Sequence, residues 1–163
     1  MNEQDISKTR EQLIEIIGRC ELHALGLAKT LESERQALEG QDADALDIAV
    51  SEKSKSVEEL RGAEQLRKRL CVESGFPDEP DQMQKVIAWC DQHAVLANCW
   101  QQLMDVVTQC DSLNMTNGAI IRSRKQHIET SISIIRGGIP SNNIYDRSGL
   151  EPRRDNVRSI AEA

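Results

Sequence analysis

Aromatic side chains are almost missing from this chain. Its 163 residues hold two tryptophans, one tyrosine and one phenylalanine. β-Sandwiches and α/β enzyme cores draw on more aromatic and β-branched mass than that, so neither is expected. Proline is just as scarce, and all four (Pro77, Pro80, Pro140 and Pro152) fall outside three long stretches that contain no helix breaker. The five cysteines (Cys20, Cys71, Cys90, Cys99 and Cys110) form no CxxC pair. A secreted disulfide scaffold would be smaller and denser in cysteine, and no Cys/His spacing fits a zinc site. The thiols therefore read as small apolar residues in a reducing compartment, and neither metal nor cofactor is expected. No apolar run approaches the roughly 20 residues that span a bilayer, so no integral membrane segment is expected. The polar start MNEQDISKTREQ does not read as a signal peptide. The expectation is a soluble, cytoplasmic protein. Nucleophile elbow, P-loop, Rossmann glycines and paired carboxylates are all lacking, so enzymatic activity is not expected.

Charge is present in quantity but unevenly placed. Residues 1–118 carry 22 acidic and 12 basic side chains, whereas residues 119–163 carry 5 acidic and 8 basic. An acidic body argues against nucleic acid as the main partner. The basic C-terminal stretch could meet an acidic surface or could simply be solvated.

What remains is rich in Leu, Ile, Val, Ala, Glu, Gln, Lys and Arg, a mixture that favours helices with narrow apolar stripes. Residues 6–39 predict one long helix, about 50 Å at 1.5 Å per residue. Leu13, Ile17, Cys20, Ala24, Leu27, Leu31 and Leu38 follow a 4-3 spacing, with Glu34 the one polar interruption. Ile14, Ile16 and Leu25 widen that face. Gly40 is placed to end the helix in a left-handed conformation. Asp42 or Asp44 then caps a second helix, running to about Val72. Its stripe is Leu46, Val50, Val57, Leu60, Ala63, Leu66 and Leu70, interrupted by Lys53. The short connection implies antiparallel packing. The run Ser74 to Pro80 breaks the chain. Asp81 is placed to cap a short helix bearing Met83, Val86, Ile87, Trp89 and Cys90, with a break near 91–93.

Residues 93–136 predict the longest helix. Leu96, Cys99, Leu103, Val106, Cys110, Leu113, Asn117 and Ile120 lie on one stripe, flanked by Trp100, Val107, Asn114, Ile121, Ile128 and Ile135. Asn117-Gly118 is locally a turn signal, yet the apolar phase runs through it without a slip, so the helix is expected to continue. Gly there costs only about 1 kcal/mol against Ala. The fold expected is all-α: an elongated antiparallel bundle of three long helices with coiled-coil-like packing and a short helix before the last. Residues 1–136 form the bundle domain. Residues 137–163 form a basic tail too poor in apolar residues to order alone.

Three segments of the sequence resemble the FlgN family of flagellar export chaperones. One is the hairpin around Gly40, followed by Glu52-Lys53 and a leucine-type stripe. The second is Leu113-Asn114-Met115-Thr116-Asn117-Gly118-Ala119-Ile120-Ile121, which is similar to the family's LNxxNG element. The third is Ile144-Tyr145-Asp146-Arg147-Ser148-Gly149, similar to a tail motif with one Tyr, although Asp146 stands where the family often has Gly. The resemblance implies a cytoplasmic chaperone that binds the first and third hook-associated proteins and keeps them from assembling early. It also implies delivery of these clients to the export gate. Client contact would fall on the last long helix, with Leu103, Val106, Val107, Asn114, Asn117, Gly118, Ile120, Ile121 and Ile128 as candidates. Docking to the large export-gate subunit would fall to Tyr145.

Each assignment has a plainer counterpart. Stripe residues usually form bundle core. A buried Asn in a coiled coil often only fixes register. Trp89 and Trp100 read as core anchors rather than binding residues. Tyr145, a lone aromatic in a polar tail with no core to fill, is the stronger binding candidate. Two other functions stay open: a structural coiled-coil adaptor whose basic arm binds an acidic partner, and a phosphotransfer bundle using His127. The Lys-Gly that usually follows a phosphotransfer His is replaced here by Ile128-Glu129. His23 and His93 show no evident partner. Monomer and homodimer are both compatible with the sequence.

Overall fold

A computed structural model of the chain describes residues 3–137. The predicted tail, with Tyr145, lies outside these residues. Four helices follow in order: α1 (Glu3–Gly40), α2 (Ala43–Glu73), α3 (Gln82–Cys90) and α4 (Val95–Ile135). No strand occurs among the described residues. The all-α class, the three long helices and the short one before the last are as the sequence predicts. The described residues divide into two units, the first ending at Lys125 and the second beginning at Gln126.

The helix ends show why the chain turns where it does. At the end of α1 the backbone N–H of Asp42 donates to Ala37 O at 3.1 Å and that of Gln41 to Leu38 O at 3.3 Å. This bonding closes the last helical carbonyls and requires one left-handed residue. That residue is Gln41 (φ 57°), one position after the expected Gly40, which stays helical. Asp42 is the cap of α2, accepting from Ala45 N at 2.9 Å. The α2 terminus uses the same bonding with glycine in the left-handed role: Gly75 has φ 94°, and Phe76 N donates to Cys71 O. Asp81 does not cap α3 with its side chain but pairs with Lys85 at 3.0 Å. Asp91 begins α4, its carboxylate accepting from Val95 N (3.1 Å) and Ala97 N (2.8 Å) while Ala94 takes φ 57°. The expected break near 91–93 is therefore present, built on an aspartate and a left-handed alanine. Gly118 lies inside α4, which is continuous across it.

Within the first unit, α2 runs antiparallel to α1 and α4 runs parallel to it. His23 meets Glu59 and Glu34 meets Lys53, so positions in α2 rise as those in α1 fall. His23 thus has a partner, at 3.4 Å, that the sequence did not reveal. Cys110 reaches Ala24 O and Asn117 reaches Leu31 O, each 86 residues apart, so α1 and α4 keep one constant register.

Two apolar clusters lie along this register. The larger gathers Leu13, Ile17, Cys20 and Ala24 of α1 with Ala63 and Cys71, Met83 and Val86, and Leu96 and Leu103. The smaller holds Ala28, Leu31 and Cys110. Each fully buried Leu or Ile contributes about 2 kcal/mol by leaving water. Leu25 is exposed rather than widening the α1 face. On α2, Ala49 and Arg67 are buried in place of the predicted Val50 and Leu66, which are exposed, whereas Ala63 is buried as predicted.

Arg67 accounts for part of that shift. Its guanidinium grips both carboxylate oxygens of Glu64 (2.6 and 2.8 Å), donates to Gln82 Oε1 of α3 at 3.3 Å, and lies 5.1 Å from the Trp100 ring centroid of α4. A bidentate pair plus a ring face offsets the loss of water around a buried cation. Burial alone pulls its pKa down, but Glu64 outweighs this and holds it above the ordinary arginine value. Trp89 packs on Phe76 at 5.2 Å, and both tryptophans pack against the larger cluster.

Gln41 and Ala94 hold left-handed conformations that cost a side-chain-bearing residue roughly 1 kcal/mol. Gln41→Gly and Ala94→Gly are each expected to raise stability by about 0.5–1 kcal/mol. The readout is a higher urea midpoint with an unchanged slope. An unchanged or lower midpoint would mean that the strain is absent.

Candidate functional site

Of the nine candidates on α4, the structure brings eight into the first unit, and they divide by burial. Leu103 is 3% exposed and belongs to the larger apolar cluster. Val106 and Val107 are half-buried and pack on the same cluster, with Val106 also touching the smaller one. These three are held by the bundle itself. Ile120 and Gly118 are half-buried. Asn114 and Ile121 are exposed, as is Met115 between them, a residue the stripe reading passed over. Ile128 is exposed in the second unit, where Ile132 and Ile135 follow it at helical spacing on one face and are exposed too. Tyr145 lies outside the described residues.

A polar layer separates the buried candidates from the exposed ones. Glu34 of α1 is only 4% exposed. Lys53 of α2 places its Nζ 3.1 and 3.3 Å from the two Glu34 carboxylate oxygens, and donates to Asn114 Oδ1 at 2.9 Å. Asn117 is 1% exposed; its Nδ2 donates to Glu34 Oε2 at 2.7 Å and to Leu31 O at 2.9 Å. The two positions that interrupt the apolar stripes of α1 and α2 are thus each other's partners, and both asparagines of the LNxxNG element join them. One group is left over: Asn117 Oδ1 is buried without a donor.

Beside this layer is a notch of about 460 Å³. Asn114, Asn117 and Gly118 line it, with Met115 and Ile121 adding apolar surface and Arg122 a cation. No group of three His, Cys, Asp or Glu side chains that could hold a metal occurs among the described residues. No described helix is long and apolar enough to cross a membrane. His127 is exposed on α4 in the second unit.

The first unit is thus an all-helical bundle whose last helix keeps exposed apolar side chains beside an open notch. The family model described as FlgN protein matches residues 1–153. The chain belongs to the FlgN family, and that membership makes it a flagellar export chaperone in general role. No curated protein matches it, and no solved structure does.

The polar layer can be tested apart from function. Lys53→Met leaves the Glu34 carboxylate buried without its cation and is expected to cost about 2–3 kcal/mol in urea unfolding, below the usual range for a fully buried pair because Lys53 is partly exposed. The double variant Glu34→Leu with Lys53→Met is expected to recover to within about 1 kcal/mol of the parent. Additive losses in the double variant would refute the coupling.

Proposed function

We propose that this protein binds the first and third hook-associated proteins in the cytoplasm, keeps them from assembling early, and delivers them to the flagellar export gate. The observation that supports this reading is the state of α4 in the first unit. The helix carries Leu103 and Cys110 into the core, then presents Met115 and Ile121 to solvent around an open notch. An exposed apolar side chain on a helix already fixed by core packing is ready to receive an amphipathic helix, as grooves that take helical segments do. Ile128, Ile132 and Ile135, in the second unit, give the same helix further exposed apolar surface.

Client contact is assigned to Asn114, Gly118 and Ile121, with Ile128 in the second unit. Leu103, Val106 and Val107 support the helix from below, Asn117 fixes its register, and Ile120 is partly covered. Tyr145 is assigned to the export gate. The tail that bears it is short of apolar residues, and one aromatic there suits a weak, reversible contact. The client and the gate would then use different parts of the chain.

Co-purification from the native cytoplasm tests this, with the tagged full chain beside Ile121→Glu and Tyr145→Ala. A charged substitution at Leu103 would fall in the core and destabilise the bundle itself, so it is unsuitable. Hook-associated proteins are expected with the full chain and with Tyr145→Ala, and at least tenfold less with Ile121→Glu, whose new charge faces the client. Recovery of no hook-associated protein, or of one and the same other partner by all three, would reject the proposal in favour of a coiled-coil adaptor.

A further inference from the structure

Gly118 sits in the interior of α4, where glycine is disfavoured by about 1 kcal/mol relative to alanine. Nothing among the described residues calls for it. A Cβ built there would meet only Arg122 Nη1, at 3.3 Å, the movable tip of a long side chain. Apart from the adjoining backbone of α4 itself, nothing else among the described residues lies within 4 Å of that position, so no other helix packs there. The space beside Gly118 is the notch already described, and Gly118 is the one lining residue that would let a second helix approach α4 without a side chain in between.

The charges of the notch are specific. Glu34 and Lys53 neutralise one another. Arg122 forms no ion pair and no hydrogen bond among the described residues. The surrounding run, residues 119–125, has three basic side chains and no acidic one. The notch therefore offers one unanswered cation beside the exposed apolar surface of Met115 and Ile121. A second copy of the same face would bring cation against cation, which disfavours self-pairing there.

We infer that the notch is a close-approach site for an acidic amphipathic helix of the client. Its backbone crosses α4 at Gly118, its apolar side chain covers Met115 and Ile121, and its Asp or Glu pairs with Arg122. This rests on the chaperone reading above and adds the chemistry that selects the client segment. Close approach sets the steric filter, and the guanidinium sets the charge filter.

Isothermal titration with the purified first and third hook-associated proteins tests it, using the full chain, Gly118→Ala, Arg122→Gln and Arg122→Glu. Gly118→Ala is expected to weaken binding about tenfold while the unfolding midpoint of the free protein stays level or rises. Arg122→Gln is expected to weaken it about threefold and Arg122→Glu tenfold or more, with both differences shrinking at about 0.5 M salt, where charges on a surface are screened. If the parent binds and all variants bind equally, the inference is overturned and the chaperone reading stands. If the parent binds neither protein, the chaperone reading itself fails and takes the inference with it. If Gly118→Ala changes the sedimentation of the free protein but not client affinity, the occupant is a second copy, and the inference is likewise overturned.

Discussion

A carboxylate taken out of water has to be answered by charge and hydrogen bonds, and Glu34 is answered from both neighbouring helices at once. Lys53 reaches it from α2 and Asn117 from α4. A seam of Leu, Ile and Ala resists sliding poorly, because a similar residue waits one turn away, about 5.4 Å along the axis. A single charged position does not tolerate that slip. Moving either helix by one turn would leave Glu34 buried and unpaired. The apolar clusters supply most of the stability, and the polar layer selects which of several similar packings is adopted. The constant offset between α1 and α4 agrees with this. Cys110 finds Ala24 and Asn117 finds Leu31 at the same separation, one heptad apart.

That layer also decides where core ends and surface begins. On one side of it α4 spends its side chains on the bundle, at Leu103 and Cys110. Within the layer Met115 is left in solvent, and beyond it so is Ile121. One helix thus passes from core to surface along its length, and Asn117 and Asn114 at the changeover bond to Glu34 and Lys53. The family resemblance placed Asn114 and Asn117 among the candidates for client contact. The geometry buries Asn117, with its amide bonded to Leu31 and Glu34, and gives Asn114 a bond to Lys53 while leaving it exposed.

Much of this could be read from the residues. The 4-3 spacing of α1 and the unbroken apolar phase of α4 survive into the structure because both helices are packed along most of the first unit. The uninterrupted phase across Asn117-Gly118 outweighed the local turn signal, since packing overrides a propensity of about 1 kcal/mol. α2 was misread by one position at Val50 and at Leu66. Counting apolar residues cannot anticipate that an arginine will be buried when Glu64, Gln82 and Trp100 converge on it from three helices. Glu34 and Lys53 were each visible as interruptions, but only the antiparallel register of the hairpin makes them a pair. The left-handed residue after α1 was assigned to the glycine on propensity, whereas the hydrogen-bonding pattern needed it one residue later. Arg122 and Met115 gave no signal at all, because an exposed residue breaks no periodicity.

The sulfur chemistry of the chain follows from its packing. Cys20, Cys71, Cys90 and Cys110 are buried and only Cys99 is partly open. Burial pushes the Cys20 thiol up to about 11 and raises those of Cys71, Cys90 and Cys110 as well. Oxidants attack the thiolate, and the folded bundle keeps these four groups both protonated and covered. Their damage has to wait for the helices to part. The slow accumulation of oxidised sulfur in an ageing population of these molecules would record how often each one has opened, a clock wound by unfolding rather than by the oxidant.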